Sequence, residues 1–379
     1  MIKRFKYFLH GLLRYDFRKY DIKLVLVVLA LCVIGILTIN SAADGFAPKQ
    51  VMGVCAGIAA MIFFSLIDYN FIANFQWILY AINIVILVAV LFLGINVNGA
   101  TRWFSLGPLG TLQPSEFAKI FMLIIFAKFI NDNKDRINRF STIMITGILY
   151  AVPLFLILEE PDLSTTLVFV FLFCVLMFVG GLSFKIVGGI LAAVIPLGGL
   201  FLWYVTQPFQ VLLDEYQQTR IMTFLNPSEY LLTTYAQQYN SVMAIGSGML
   251  TGKGLNNNTL TSVKGGDFIS EPQTDFIFAV LGEELGFVGS CVVIGLLLFI
   301  VIECLLIAKD AADMTGRLIA CGVAAIISFQ AFVNIGVATA ILPNTGLPLP
   351  FVSYGLSSLL SNFIGIGLVL NVGLQRNRR

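Results

Sequence analysis

The stretch EPQTDFIFAVLGEELG, residues 271–286, opens an apolar run that continues to residue 305 and carries four carboxylates: Glu271, Asp275, Glu283 and Glu284. Charge inside a membrane span is costly and rare, and where it occurs it marks a pathway or a reactive site. A helix beginning at Asp275 puts that residue at the membrane boundary. Glu283 and Glu284 then lie ~12–14 Å further along the axis, too deep for all four acids to be surface caps. Capping the helix is one reading of Asp275. The two deeper glutamates are expected to hydrogen-bond inside a helix bundle.

The rest of the chain fits that reading. Hydrophobic residues make up 58% of it, charged residues 12%, and the mean hydropathy is +0.91. A soluble domain carries roughly 25% charged residues. A span needs about 20 apolar residues. Ten stretches qualify, near 24–42, 51–68, 75–94, 114–130, 141–158, 163–180, 186–205, 275–305, 316–342 and 351–373. The expected fold is an all-α polytopic membrane protein with ten transmembrane helices. With the N-terminus inside, most Lys and Arg fall in inner segments, which places both termini in the cytoplasm. Lys49, Arg102, Lys119, Arg220, Lys253 and Lys264 remain outside or at the outer end of a span.

Residues 1–23 read as a basic amphipathic segment on the anionic inner leaflet. Residues 24–373 form a single transmembrane domain, and 374–379 a basic cytoplasmic tail. A large extracellular loop, 206–274, separates helices 7 and 8. It is too polar to span, and it is expected to pack on the protein or dip into lipid. The six cysteines are scattered, with no CxxC pair, and read as small core residues. His10 is the one histidine, so chemistry needing an imidazole base or a His-zinc site is all but excluded. Carboxylates, hydroxyls, Lys, Arg and backbone groups remain.

Four motifs converge on the outer ends of the helices. In ATRWFSLGPLGTLQPSEFAKI (100–120), Pro114 suits the first turn of a helix. Glu116 and Lys119 share a face at i, i+3, either as a structural pair or as part of a site; Trp103 suits a membrane interface. In EEPDLSTT (159–166), Asp162 is placed to cap the next helix near Thr165. The third motif is the opening stretch. In ILPNTGLPLPFVSYGLSS (341–358), three prolines and Gly346 make a rigid non-helical elbow. Irregular backbone at that depth is tolerated only when buried in protein or lining a watery cavity. Together the motifs imply an outward-facing polar cavity holding Asp275, Asp162, Glu116 and Lys119. A channel, a transporter or an intramembrane enzyme would all satisfy it.

The strings RWFSLGPLGTLQPSEFAKI, PDLSTTLV, QQYNSVMAIGSGMLTGKGL, TDFIFAVLGEELGFVG and LPNTGLPLPFVSYG, in this order and with this topology, resemble the SEDS family (shape, elongation, division and sporulation proteins), whose members include RodA, FtsW and SpoVE. The first string leans toward the RodA branch. The chain departs from the family pattern at Gln273, where His is common, at Met249 and at Leu356.

The resemblance implies a peptidoglycan glycosyltransferase of the bacterial cytoplasmic membrane. Such an enzyme polymerises lipid II at the outer face, beside a class B penicillin-binding protein and other elongation or division proteins, with no nucleic-acid partner. It implies Asp275 as the catalytic residue. Arg102, Trp103, Glu116, Lys119, Asp162, Arg220, Glu271 and Ser353 are the candidate substrate-binding residues. No cofactor is required by this reading beyond a divalent cation (Mg or Mn) as one source of positive charge for the leaving diphosphate; Lys119, Arg102 and Arg220 are the others. A lipid II flippase and a non-catalytic scaffold for a penicillin-binding protein are the alternative readings.

Overall fold

The computed structural model describes residues 19–97, 100–105, 107, 110–160, 162–207, 210–212, 215–231, 233, 235–256, 262–266 and 268–376. Most of the expected basic segment 1–23 and the end of the basic tail therefore lie outside the described residues.

The order is α1 (Ile22–Ala42), α2 (Ala47–Leu66), the short α3 (Tyr69–Ala73), α4 (Gln76–Leu93), β1 (Ile95–Val97), β2 (Ala100–Ser105) and β3 (Thr111–Leu112). Then come α5 (Pro114–Asp132), α6 (Phe140–Glu159), α7 (Leu163–Val179), α8 (Phe184–Val205), α9 (Glu215–Leu225), α10 (Ala236–Ser247) and α11 (Val263–Gly266), followed by α12 (Ile277–Lys309), α13 (Met314–Ala338) and α14 (Leu356–Gln375). Each of the ten expected apolar stretches coincides with a long helix. Among the described residues, eight of these helices are long and apolar enough to cross a membrane. The other two are α7, only 17 residues long, and α5, which carries Glu116, Lys119, Lys128 and Asp132.

α13 and α14 form the centre, each largely buried, and α2, α5, α7 and α12 pack around them. α8 stands at the periphery with only Val205 buried. The peripheral helices turn Leu, Ile, Val and Phe outward, as expected where lipid replaces water. Cys55, Cys174 and Cys291 lie on such exposed faces. The core reading of the cysteines holds for Cys32 and Cys304 and is corrected for those three, since an apolar run in a membrane protein does not distinguish core from lipid face.

Three boundaries and one element differ from expectation. The loop near 95–113 contains an antiparallel sheet in the order β1-β2-β3, with Phe104 opposite Leu112, so the fold is predominantly helical rather than all-α. α12 begins at Ile277, two residues after Asp275. α13 ends at Ala338 and α14 begins at Leu356, so the elbow runs 339–355. Pro343, Pro348 and Pro350 deny it helical hydrogen bonds. The large loop is structured, since α10 packs on α12.

A break in α12 holds that loop in place. Gly286 adopts φ 65 and ψ −164 inside the helix, a conformation that favours glycine. The break frees backbone groups that the loop after α10 satisfies. Lys253 N donates to Glu283 O at 2.9 Å and Gly254 N to Glu284 O at 3.0 Å. Phe287 N donates to Met249 O at 2.9 Å and Val288 N to Leu250 O at 3.1 Å. The side chains add to this. Lys253 Nζ pairs with Glu283 Oε1 at 2.7 Å, Val263 N donates to Glu283 Oε2 at 2.9 Å, and Ser41 Oγ donates to Glu284 Oε1. Both deep glutamates thus hydrogen-bond inside the bundle, as their depth required.

Candidate active site

The turn before α12 positions Asp275. Its backbone carbonyl accepts from Asn334 Nδ2 on α13 at 2.8 Å, and the same amide reaches Leu347 O in the elbow at 2.7 Å. Ser353 Oγ donates to Thr274 O at 2.7 Å while accepting from Leu349 N at 2.8 Å. Tyr354 N donates to Gln273 O at 2.9 Å, and Gln50 Nε2 to Ser353 O at 3.2 Å. The elbow, α13 and α2 therefore fix the backbone on either side of Asp275. Ser353, a candidate for binding substrate, spends its hydroxyl on this scaffold.

The Asp275 carboxylate itself makes no hydrogen bond or ion pair among the described residues. α12 has no side-chain cap, Phe276 being its N-cap residue, so the capping reading of Asp275 is corrected. Gly346, at φ +80, faces it closely enough that an added Cβ would sit 3.1 Å from Oδ2. Burial raises the Asp275 carboxyl from its ordinary value to about 6. Arg102 and Arg220 pull it down, and Glu271 and Asp162 push it up. An unpaired carboxylate held by its backbone and poised near ambient pH suits a general base.

The positive charge comes from two elements. Arg102 on β2 reaches Asp162 Oδ1 at 3.5 Å, and its guanidinium stacks 4.5 Å from the centroid of the Trp103 ring. Its buried Nε has no partner among the described residues. Arg220 on α9 donates to the Thr345 carbonyl at 3.4 Å, to which Ser164 Oγ also donates. Asp162 caps α7 as its sequence position predicts, accepting from Thr165 N at 3.0 Å. It also accepts from Thr165 Oγ1 and from Gln113 Nε2 at 2.9 Å.

Glu116 and Lys119 form the expected ion pair at 2.7 Å, both almost fully buried. Ser361 Oγ donates to Glu116 Oε2 at 3.2 Å, which ties α5 to α14. Glu271 is exposed, in a left-handed turn at φ 49. Among the described residues, no three His, Cys, Asp or Glu side chains group as a metal site would need.

Sequence reasoning missed two residues. Asn334 clamps the Asp275 carbonyl; its signal was one amide in the otherwise apolar AFVNIGVA. Glu160 is fully buried, with neither carboxylate oxygen partnered among the described residues. Burial and the nearby Asp162 push its carboxyl up to about 8, against a downward pull from Arg102.

Residues 15–378 match the FtsW/RodA/SpoVE model, described as cell cycle protein. The chain belongs to this family. The peptidoglycan glycosyltransferase MrdB of Escherichia coli K12 is similar to it, 35% identical over 362 residues, covering 94% of each chain. A solved chain from a peptidoglycan synthase complex that coordinates polymerization and crosslinking has a TM-score of 0.79 and 30% identity, covering 95% of this chain and 99% of that one. The Rod shape determining protein RodA of Thermus thermophilus has a TM-score of 0.67 and 26% identity, covering 96% and 98%. This family member is a multi-pass membrane protein with a RodA-like fold.

Proposed function

We propose that this chain is a peptidoglycan glycosyltransferase that polymerises lipid II at the outer face of the bacterial cytoplasmic membrane, in cell shape or division. Family membership and the names of its relatives support the activity. The observation that carries the mechanism is the Asp275 carboxylate, unpaired among the described residues, held by a clamped backbone and acted on by the charges of Arg102 and Arg220.

The reaction joins a sugar hydroxyl of one substrate to the anomeric carbon of another. The hydroxyl oxygen forms a bond to the carbon as the bond from that carbon to the diphosphate oxygen breaks, with inversion. Asp275 takes the hydroxyl proton. The diphosphate departs with its electron pair toward positive charge from Arg102, whose Nε has no partner among the described residues, and from Arg220. These donors stabilise charge that develops on the leaving oxygens. Trp103 holds the Arg102 guanidinium by stacking, and Asp162 anchors it from the α7 cap. Glu116 and Lys119 hold α5 against α14, which keeps β2 in place beside the site.

All ten long helices span the membrane in this reading. Both termini are cytoplasmic, and the segment between α8 and α12 lies outside. The whole of 24–373 acts as one domain. The partner is a class B penicillin-binding protein, as the synthase complex containing a similar chain suggests. A flippase would need a polar track continuing inward. Glu283 and Glu284 do not supply one, being engaged by Lys253, Val263 and Ser41.

The test is polymerisation of lipid II by the purified full chain, alone and with its matched penicillin-binding protein. Glycan strands on a gel support the transferase. No strands from a well-folded protein with its partner, together with lipid II translocation in vesicles, would replace it with the flippase.

A further inference from the structure

We propose that Glu160 is a positioning residue for the diphosphate: it competes with the substrate for the charge of Arg102, and so sets how tightly the leaving group is held. This rests on the role given to Arg102 above. Glu160 ends α6 as its C-cap residue, two residues before Asp162, at most ~7 Å of extended chain. Asp162 in turn reaches Arg102 at 3.5 Å. Two acids and one guanidinium, from the ends of α6 and α7 and from β2, thus gather on one side of the site.

The surroundings decide which acid takes the cation. Asp162 is well supplied: Thr165 N, Thr165 Oγ1 and Gln113 Nε2 donate to it, and Arg102 pairs with it. Glu160 is fully buried, and neither of its oxygens has a hydrogen-bond partner among the described residues. A buried carboxylate without a donor is costly, and a second negative charge beside Asp162 adds to the cost. Glu160 therefore holds its proton while Asp162 is ionised. Burial and Asp162 push its carboxyl up to about 8, and Arg102 pulls it down. α4 and α7 pack against α6. Besides Asp162, their titratable side chains among the described residues are Tyr80 and Cys174, both toward the far ends of those helices. On α6 itself, Glu159 is exposed and Tyr150 lies ~15 Å down the axis.

Arg102 looks both ways. Its side chain is 26% exposed and held at one end by Asp162; its buried Nε has no partner among the described residues. With Glu160 neutral, one carboxylate is set against the guanidinium, and an arriving diphosphate meets a cation still able to serve it. With Glu160 ionised, two carboxylates face one guanidinium, and the diphosphate is repelled. Linkage makes the converse hold: a bound diphosphate keeps the proton on Glu160. The effect therefore falls on the free enzyme and on substrate capture.

The test reads binding rather than turnover. The full chain carrying Asp275→Asn, in detergent, is titrated with fluorescently labelled lipid II from pH 6.5 to 9.5, beside the same chain with Glu160→Gln added. Asp275→Asn blocks turnover and takes the Asp275 charge out of the profile. The dissociation constant should rise above pH 8, approaching ~tenfold per unit for one linked proton, and should stay flat once Glu160→Gln is added. Glu160→Asp keeps an acid at the position and should keep a pH-dependent affinity. A merely structural Glu160 would lower the folded fraction at high pH, and with it the amplitude of binding, but not the dissociation constant; melting temperatures at each pH identify that case.

In steady-state polymerisation with Asp275 restored, the same fall should appear in kcat/KM, which reports the free enzyme, and not in kcat. The proposal is overturned if lipid II affinity is absent or flat through pH 9.5 in the Asp275→Asn chain, or if its fall survives Glu160→Gln. A fall that depends on Glu160, in a chain that makes no polymer under any condition even with Asp275 present, would strike the transferase reading and leave Glu160 in its role.

Discussion

Replacing Glu160 by Gln should stabilise the protein, by an amount that grows with pH. Glu160 is fully buried at the end of α6, its two oxygens have no partner among the described residues, and its carboxyl is pushed up to about 8 from 4.5. A carboxyl whose folded value lies above its unfolded one holds a proton that folding must supply. Its contribution is fully favourable below about pH 4.5 and is lost as pH rises through about 8. Each pH unit across that window is worth ~1.4 kcal/mol. At pH 7 the wild type has lost about 2.5 such units, or on the order of 3 kcal/mol. Gln carries the same shape without a titrating proton, so the variant escapes the loss. At ~2 °C per kcal/mol for a large chain, it should melt ~6 °C above wild type at pH 7 and level with it near pH 4.5. Fluorescence of the three tryptophans, followed in detergent across pH 4.5–8, reads the difference directly. A Glu160→Gln variant that melts below wild type by the same margin at every pH would refute the reasoning, because Glu160 would then be ionised and paired.

Other outcomes follow from the same geometry. Lys119→Met leaves Glu116 as an uncompensated buried charge and should cost ~3–5 kcal/mol, most of it recovered in the double variant with Glu116→Gln. An unchanged melting temperature in the single variant contradicts a buried pair. Gly346→Ala places a Cβ 3.1 Å from Asp275 Oδ2 at a left-handed φ, and should lower kcat ~tenfold or more by displacing the carboxylate, with KM little changed. With the Asp275 carboxyl at about 6 and the ionised form required, kcat/KM should fall ~tenfold per unit below pH 6 and level off above it. A flat profile from pH 5 to 7 removes Asp275 as the base.

The membrane helices were legible because a span demands an apolar run about 20 residues long, a signal that survives without any knowledge of packing. The i, i+3 pair Glu116–Lys119 and the Asp162 cap were equally local and appear where spacing put them. Less legible features depend on contacts between distant segments. The sheet at 95–112 comprises strands of three, six and two residues, too short for a period-2 pattern. α9, α10 and α11 carry mixed polar sequences whose helicity comes from packing on α12 and the elbow. Asn334, Ser353 and Gln50 reach the Asp275 turn from other segments, and no spacing rule connects them. Glu160 stood in the open beside Asp162, but its isolation is a property of the fold alone.

The most direct measurement of the central claim is lipid II polymerisation by Asp275→Asn, purified with its penicillin-binding protein and compared with wild type at equal melting temperature. The amide keeps the shape and removes the base. Strands from wild type and none from the variant are the predicted result, and strands at the wild-type rate from both would contradict the assignment of Asp275 as the group that takes the proton.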